Sequence, residues 1–348
     1  MESSKDLILT ALSGETPERV PVAIVSSTWV FSSYGVDTSK AFQNPNLMTD
    51  TWRRFDTDFG ADAVVPSLSS IVIPSYFGTT WKFPSIGFPL LQKPAISDAS
   101  ELDKLEQLDP KRDKSIQAAT LHAKQLTEQF GKHRAVWYMT TGPISNAARI
   151  VEIEFLMESL IEDPEFVGEL FKFSMDAFKA AVEPVLDFGI DVLDFSSSPG
   201  SPDLVSPRMY QKFFWPFDKE LVDWAHRKGV KVVFHICGNT MPIIEDMANT
   251  GADGLSVDSM VDMSAAREVI GKTALVGNID PAGILMNGTP EMVERASIDA
   301  MNTGGLNGAF VLAPGCDVPP TCPNENIKAM IDSTKTHGIY PLTKHDKD

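Results

Sequence analysis

Apolar residues gather along this chain in eight short runs, each too brief for a helix and bounded by polar, proline or glycine positions. They are VPVAIV (20–25), DAVVP (62–66), RAVWYM (134–139), IDVLDF (190–195), VKVVFH (230–235), DGLSV (253–257), TALVG (273–277) and AFVLA (309–313). Near-continuous apolar runs of this length mark strands buried on both faces, as in a parallel sheet. Helix-length segments separate most of them. In residues 207–228, Ser206 stands as N-cap and Pro207 takes the first helical position; Phe213, Phe214, Phe217 and Leu221 recur at helical spacing, and Gly229 marks the stop. Residues 164–189 again end at a glycine. This alternation predicts a (β/α)8 TIM barrel rather than an open doubly wound sheet, with residues 1–348 forming one barrel domain.

Residues 66–110 break the pattern, being rich in Pro, Ser and aromatics and too long for an ordinary connection. Their aromatic content predicts an ordered excursion over the barrel mouth. Only the tail KHDKD (344–348) reads as frayed. Glycines in NTGGLNG (302–308) precede a strand rather than open a helix, which disfavours a nucleotide loop.

The formal net charge of −17 opposes extended docking to nucleic acid or anionic lipid. No export signal or membrane-spanning run stands out, so a cytoplasmic location is the expectation. Three cysteines do not make a disulfide framework and point to core, reactive or metal-ligating roles. Small molecules and other proteins remain as partners, and nothing in the chain excludes a homo-oligomer.

In such a barrel the reactive groups lie where strands run into the following loops. VKVVFHICGNT places His235 and Cys237 at such an end, and alternation along a strand points both to one face. AFVLAPGCDVPPT places Cys316 in a glycine-containing turn just after the last strand. Two thiolates and an imidazole suit zinc, and three protein ligands with a fourth position open mark a catalytic ion. The competing reading makes His235 a satisfied core histidine and the cysteines small buried hydrophobes. Asp194 ends the fourth strand and Asp203 lies just beyond it. Either is a candidate acid, base or ligand-orienting carboxylate, while Asp203 reads equally well as a helix cap or turn former. Asp258, after GLSV, is placed to be a fourth metal ligand, an acceptor for His235, or a loop-start aspartate binding backbone amides. Asn278 in VGNID is placed to bind substrate or fix the adjacent loop. His122, His133, His226, His337 and His345 read most simply as surface groups.

The segments HICGNTMPIIEDMANTGADGLSVD, LVGNIDP and GAFVLAPGCDVPP followed by NENIKAM resemble the uroporphyrinogen decarboxylase superfamily. More narrowly they resemble its zinc-dependent, corrinoid-linked methyltransferase branch, which includes methylcobamide:coenzyme M methyltransferases and related O-demethylase methyltransferases. ERVPV, TTGPISNAARI and DFSSSPGSPDLVSPRMYQKFFWP extend the resemblance over nearly the whole chain. It implies a uroporphyrinogen decarboxylase-like barrel, zinc on His235, Cys237 and Cys316, and a corrinoid (cobalamin) presented by a separate protein docking at the rim. Cys322 departs from the pattern and competes with Cys316 for the third position; Cys316 is favoured because it lies nearer the strand end.

Within that branch two directions are open. A zinc-activated thiol accepts a methyl group from methylated cobalt, or zinc polarises a methyl ether while reduced cobalt takes its methyl group. A sulfonated thiol calls for Arg or Lys at the mouth, where Arg149, Lys82 and Arg208 are the nearest. Trp29, Phe31, Tyr34, Tyr76, Phe77, Trp81, Phe83 and Phe88 crowd the first two loops. If they line the site, they favour a methoxylated aromatic donor, and this donor-to-corrinoid direction is the one the sequence favours. A true uroporphyrinogen decarboxylase needs convergent arginines, and PVAIVSSTWVFSSYG after the first strand has none. The non-enzymatic alternative is a metal- or corrinoid-binding accessory protein.

Overall fold

The computed structural model describes residues 2–82 and 89–342. In chain order the strands are β1 (Ala63–Val64), β2 (Thr80–Lys82), β3 (Leu90–Lys93), β4 (Ala135–Thr141), β5 (Val192–Ser196), β6 (Lys231–Ile236), β7 (Gly254–Val257), β8 (Ala274–Ile279) and β9 (Phe310–Pro314). Among the described residues, β1, β4, β5, β6, β7, β8 and β9 pair in that order as one sheet, every pair parallel. Seven of the eight apolar runs therefore become strands of a TIM-barrel-like sheet, with helices in the connections. Both faces are covered, which is why these runs are apolar throughout rather than alternating.

The first run, residues 20–25, departs from the predicted strand. Val20, Val22, Ala23 and Ile24 are buried as the pattern requires, yet the segment forms only an isolated parallel bridge from Val22 to Leu312. Pro21 has no N–H to give to a ladder. Its carbonyl accepts from the Leu312 amide at 2.9 Å, and the Ala23 amide donates back to the Leu312 carbonyl at 3.0 Å. On the other side the Asp62 amide donates to the Val22 carbonyl at 3.0 Å. By Ser26 the chain is already capping the helix Ser27–Ser33. This irregular segment thus lies between β9 and β1 and closes the curled sheet. Arg19 anchors it through two bonds to the wholly buried Asp62 carboxylate, at 2.8 and 2.6 Å.

Ser206 accepts from the Met209 amide as the sequence predicts, but the helix that follows includes a π-helical stretch, Tyr210–Phe214, before α-helix resumes over Trp215–Arg227. The excursion holds a helix, Val72–Tyr76, and an antiparallel β2–β3 pair. It fastens onto the end of the helix Pro143–Val151: the Ala95 and Ile96 amides donate to the Ile150 carbonyl, and Thr79 Oγ1 donates to the Arg149 carbonyl at 3.1 Å. Because that helix follows β4, the excursion sits on the side where the strands end. Phe83, Phe88, His345 and the tail 344–348 lie outside the described residues. No helix among the described residues is long and apolar enough to cross a membrane.

Candidate metal centre

The parallel register brings the strand ends level: Ser196 pairs with His235, and His235 with Ser256. Cys237 follows directly on β6. Gly238 then turns the chain at φ +84°, a conformation glycine adopts without strain. A Cβ there would lie 2.2 Å from Asp203 Oδ2, so a side chain has no room either. Cys316 comes two residues after β9, beyond Gly315, whose own Cβ would meet the Ser259 amide at 2.7 Å. Loop crowding at two glycines thus fixes how both cysteines leave their strands.

The sheet curls β6 and β9 toward each other, and the ligand atoms of His235, Cys237 and Cys316 all fall within 4.8 Å of one another. His235 Nε2 is 3.3 Å from Cys237 Sγ, and Cys237 Sγ is 3.9 Å from Cys316 Sγ. Around a tetrahedral zinc with the usual bond lengths, such donors stand about 3.5–3.8 Å apart. The set therefore fits a zinc ion in both chemistry and spacing. His235 Nδ1 lies 3.0 Å from both the carbonyl and the hydroxyl of Ser256. The carbonyl can only accept, so Nδ1 carries the proton and Nε2 keeps its lone pair facing the sulfurs.

The thiols behave as a coupled pair. Donation from Cys316 is the main influence pulling the Cys237 thiol far below its ordinary range; burial opposes it, and His235 and the Ser198 hydroxyl at 3.5 Å assist. Cys316 is correspondingly raised. Burial works against protonation of His235, but the neighbouring Cys237 and Asp194 outweigh it and raise its pKa.

Asp194 is buried beneath the cluster, accepting from Trp137 Nε1 at 2.8 Å. Burial pushes it up to about 6, against the pull of that bond and of His235. Asp203 sits in an exposed turn against Gly238, its own amide facing Ser201 Oγ at 3.3 Å. Asp258 lies outside the three-donor group, with Oδ2 taking the Gly238 amide at 3.1 Å and Oδ1 the Met260 amide at 3.2 Å. The acceptor for His235 is Ser256 and not Asp258. Asn278 Nδ2 donates to the Asp258 and Val261 carbonyls, each at 3.0 Å, and so ties down the loop after β7. Cys322 is in the core, giving its thiol to the Leu285 carbonyl at 3.1 Å, and burial pushes it up to about 12. Of the two competing cysteines, Cys316 is the one that reaches the cluster.

Asp317 escaped the sequence reading. It accepts from Ser26 Oγ, linking the Cys316 loop to the closing segment, and burial pushes it up to about 6. Its place next to Cys316 was the available signal. The aromatic cluster, by contrast, is largely packing. Trp29 and Phe31 are fully buried; Tyr34 bonds Asp58 at 2.8 Å, Phe77 packs on Phe173, and Trp81 Nε1 donates to Ser75 at 2.8 Å. His122, expected on the surface, is wholly buried on the helix Lys114–Phe130.

A family model described as "Uroporphyrinogen decarboxylase (URO-D)" matches residues 3–337. The chain is 32% identical over 214 residues to a methylcobamide:CoM methyltransferase MtbA of Methanosarcina acetivorans, a match spanning 62% of each protein. With the MtbA of Methanosarcina mazei it shares 27% identity over 339 residues, covering 96% of this chain and 98% of the relative. Among solved structures, a "methyltransferase from Methanosarcina mazei" superposes with a TM-score of 0.84 at 25% identity, over 97% of this chain and 99% of the other.

Proposed function

The chain belongs to the uroporphyrinogen decarboxylase (URO-D) family, and we propose that within it the protein is a corrinoid-linked methyltransferase, moving a methyl group from a methylated cobamide to a small thiol. The supporting observation is the meeting of His235, Cys237 and Cys316, with donor atoms within 4.8 Å, at the open ends of β6 and β9. Relatives named as methylcobamide:CoM methyltransferases support the corrinoid as the methyl carrier. The corrinoid is brought by a partner protein, in keeping with the resemblance carried by the sequence.

His235 Nε2, Cys237 Sγ and Cys316 Sγ would hold the zinc. When bound, zinc supplies the Lewis acidity that turns a thiol with an ordinary pKa of about 8.5 into a nucleophile at neutral pH. The protein's own groups prepare that site. Ser256 fixes the imidazole tautomer, and Ser198 steadies the Cys237 sulfur. Asn278 and Asp258 brace the surrounding loops through backbone groups. Asp194, which burial raises to about 6, would hold or release a proton near His235 in this reading.

The acceptor direction is preferred over methyl-ether cleavage because the aromatics that favoured an apolar donor are mostly committed to packing. Decarboxylation of a polycarboxylate is disfavoured by the absence of any Arg or Lys in residues 20–35. The test is a visible-spectrum assay with zinc-loaded protein and methylcobalamin. Loss of the methyl–cobalt spectrum on adding a thiol supports the reading. No loss with any thiol, together with formation of methylcobalt from reduced cobalamin and a methoxylated arene, would reverse the direction.

A further inference from the structure

We propose that Asp317 is a positioning residue: through Ser26 it holds the Cys316 arm against the segment that closes the barrel, and so sets where the third zinc ligand stands. This deepens the metal reading above and rests on it. β9 ends at Pro314 and the next helix begins at Asn324, so Cys316 rides on an irregular connection, residues 315–323. Its sequence, GCDVPPTCP, has proline at three of nine positions, and proline has no N–H to donate. The Gly315 amide donates to the Ile279 carbonyl at 2.8 Å, but at Cys316 itself, among the described residues, no backbone hydrogen bond forms. Backbone pairing alone leaves the ligand loosely held.

The tie just beyond Cys316 is the Asp317 carboxylate, which accepts from the hydroxyl of the wholly buried Ser26. Ser26 is a firm anchor. Its amide donates to the Ile24 carbonyl at 2.9 Å, and its hydroxyl oxygen takes the Trp29 amide at 3.4 Å, at the start of the helix Ser27–Ser33. Ser27 Oγ extends the anchor by donating to the Val65 carbonyl at 2.9 Å, directly after β1. The far end of the connection is tied separately, by Trp29 Nε1 donating to the Cys322 carbonyl at 2.9 Å. A bond made on the closing segment, away from β6, thereby decides how near Cys316 Sγ comes to Cys237 Sγ, 3.9 Å away. A group that orients a metal ligand in this way is worth about 10–100-fold in metal affinity.

The experiment is a double-mutant cycle on zinc affinity, measured by competition with a chromophoric chelator. Ser26→Ala and Asp317→Ala should each weaken zinc binding about tenfold or more. Ser26→Ala also removes the cap on the Trp29 amide, so the cycle and not either single variant isolates the latch. The double variant should lose no more than the larger single loss. Asp317→Asn keeps an oxygen for the Ser26 hydroxyl and should stay near wild type. Ser27→Ala, which loosens the anchor without touching Asp317, should do the same. In cobalt(II)-substituted protein the thiolate-to-cobalt charge-transfer band should weaken in Ser26→Ala and Asp317→Ala alone, a change that general destabilisation would not produce while urea midpoints show the variants folded. Where Asp317→Ala does not fold, Ser26→Ala set against Asp317→Asn carries the comparison. Affinities within about twofold of wild type in the alanine variants, or single losses that multiply in the double variant, overturn the latch and leave the metal reading standing. A wild-type protein without stoichiometric zinc and without the thiolate band overturns both.

Discussion

Replacing Asp62 with alanine tests how the barrel is closed. Its carboxylate is wholly buried and accepts from Arg19 Nη1 and Nη2 at 2.8 and 2.6 Å, from the Val22 amide at 2.9 Å and from Ser4 Oγ at 2.6 Å. Removing it leaves a largely buried guanidinium and a buried amide without their partner, which costs about 3–5 kcal/mol. At about 2.1 cal/mol/K of unfolding entropy per residue, a chain of 348 residues loses about 5 °C in Tm for that change. Equilibrium urea unfolding and calorimetry measure both. The double variant Arg19→Met/Asp62→Leu should recover part of the loss, because no charge is then buried alone, while the Val22 amide stays unpaired. A loss below about 1 kcal/mol for Asp62→Ala would refute the idea that this ion pair clamps the closing segment.

The two competing cysteines separate by measurement: Cys316→Ala should lower zinc affinity steeply with little change in stability, whereas Cys322→Ala should keep the metal and cost about 1–3 kcal/mol from a lost buried contact and the bond to Leu285. Zinc retained in Cys316→Ala but lost in Cys322→Ala would reverse the assignment. Burial pulls His122 down from 6.5 to about 3, and neither ring nitrogen has a partner. The unfolded chain therefore takes up this proton first, so stability is full above pH 6.5 and falls by about 2 kcal/mol on reaching pH 5. His122→Phe should remove that increment in paired urea titrations at pH 7.5 and 5.0; an unaltered pH dependence would contradict it.

Periodicity located β4 through β9 closely because each is an apolar run buried on both faces, and burial is what the pattern encodes. It over-read residues 20–25, where the side chains are buried as expected but Pro21 and the early turn at Ser26 prevent a ladder. The π-helical stretch Tyr210–Phe214 and the β2–β3 pair carry no period of their own, so neither could be read in advance. The convergence of His235, Cys237 and Cys316 was legible because two residue types scarce in this chain recur at strand ends. Ser198 and Ser256 were not, since it is the register of β5, β6 and β7 that brings them beside Cys237 and His235. Aromatic crowding misled for a similar reason: Trp29 and Phe31 look the same in sequence whether they line a pocket or fill a core.

The central claim is that one metal ion is shared between the ends of β6 and β9. X-ray absorption at the zinc edge, combined with metal analysis of purified protein, addresses it directly. The account predicts one zinc per chain, with two sulfur ligands and at least one nitrogen, and loss of a sulfur from the spectrum of Cys316→Ala. A zinc shell lacking sulfur, or a wild-type protein that holds no stoichiometric zinc under reducing conditions, would contradict it.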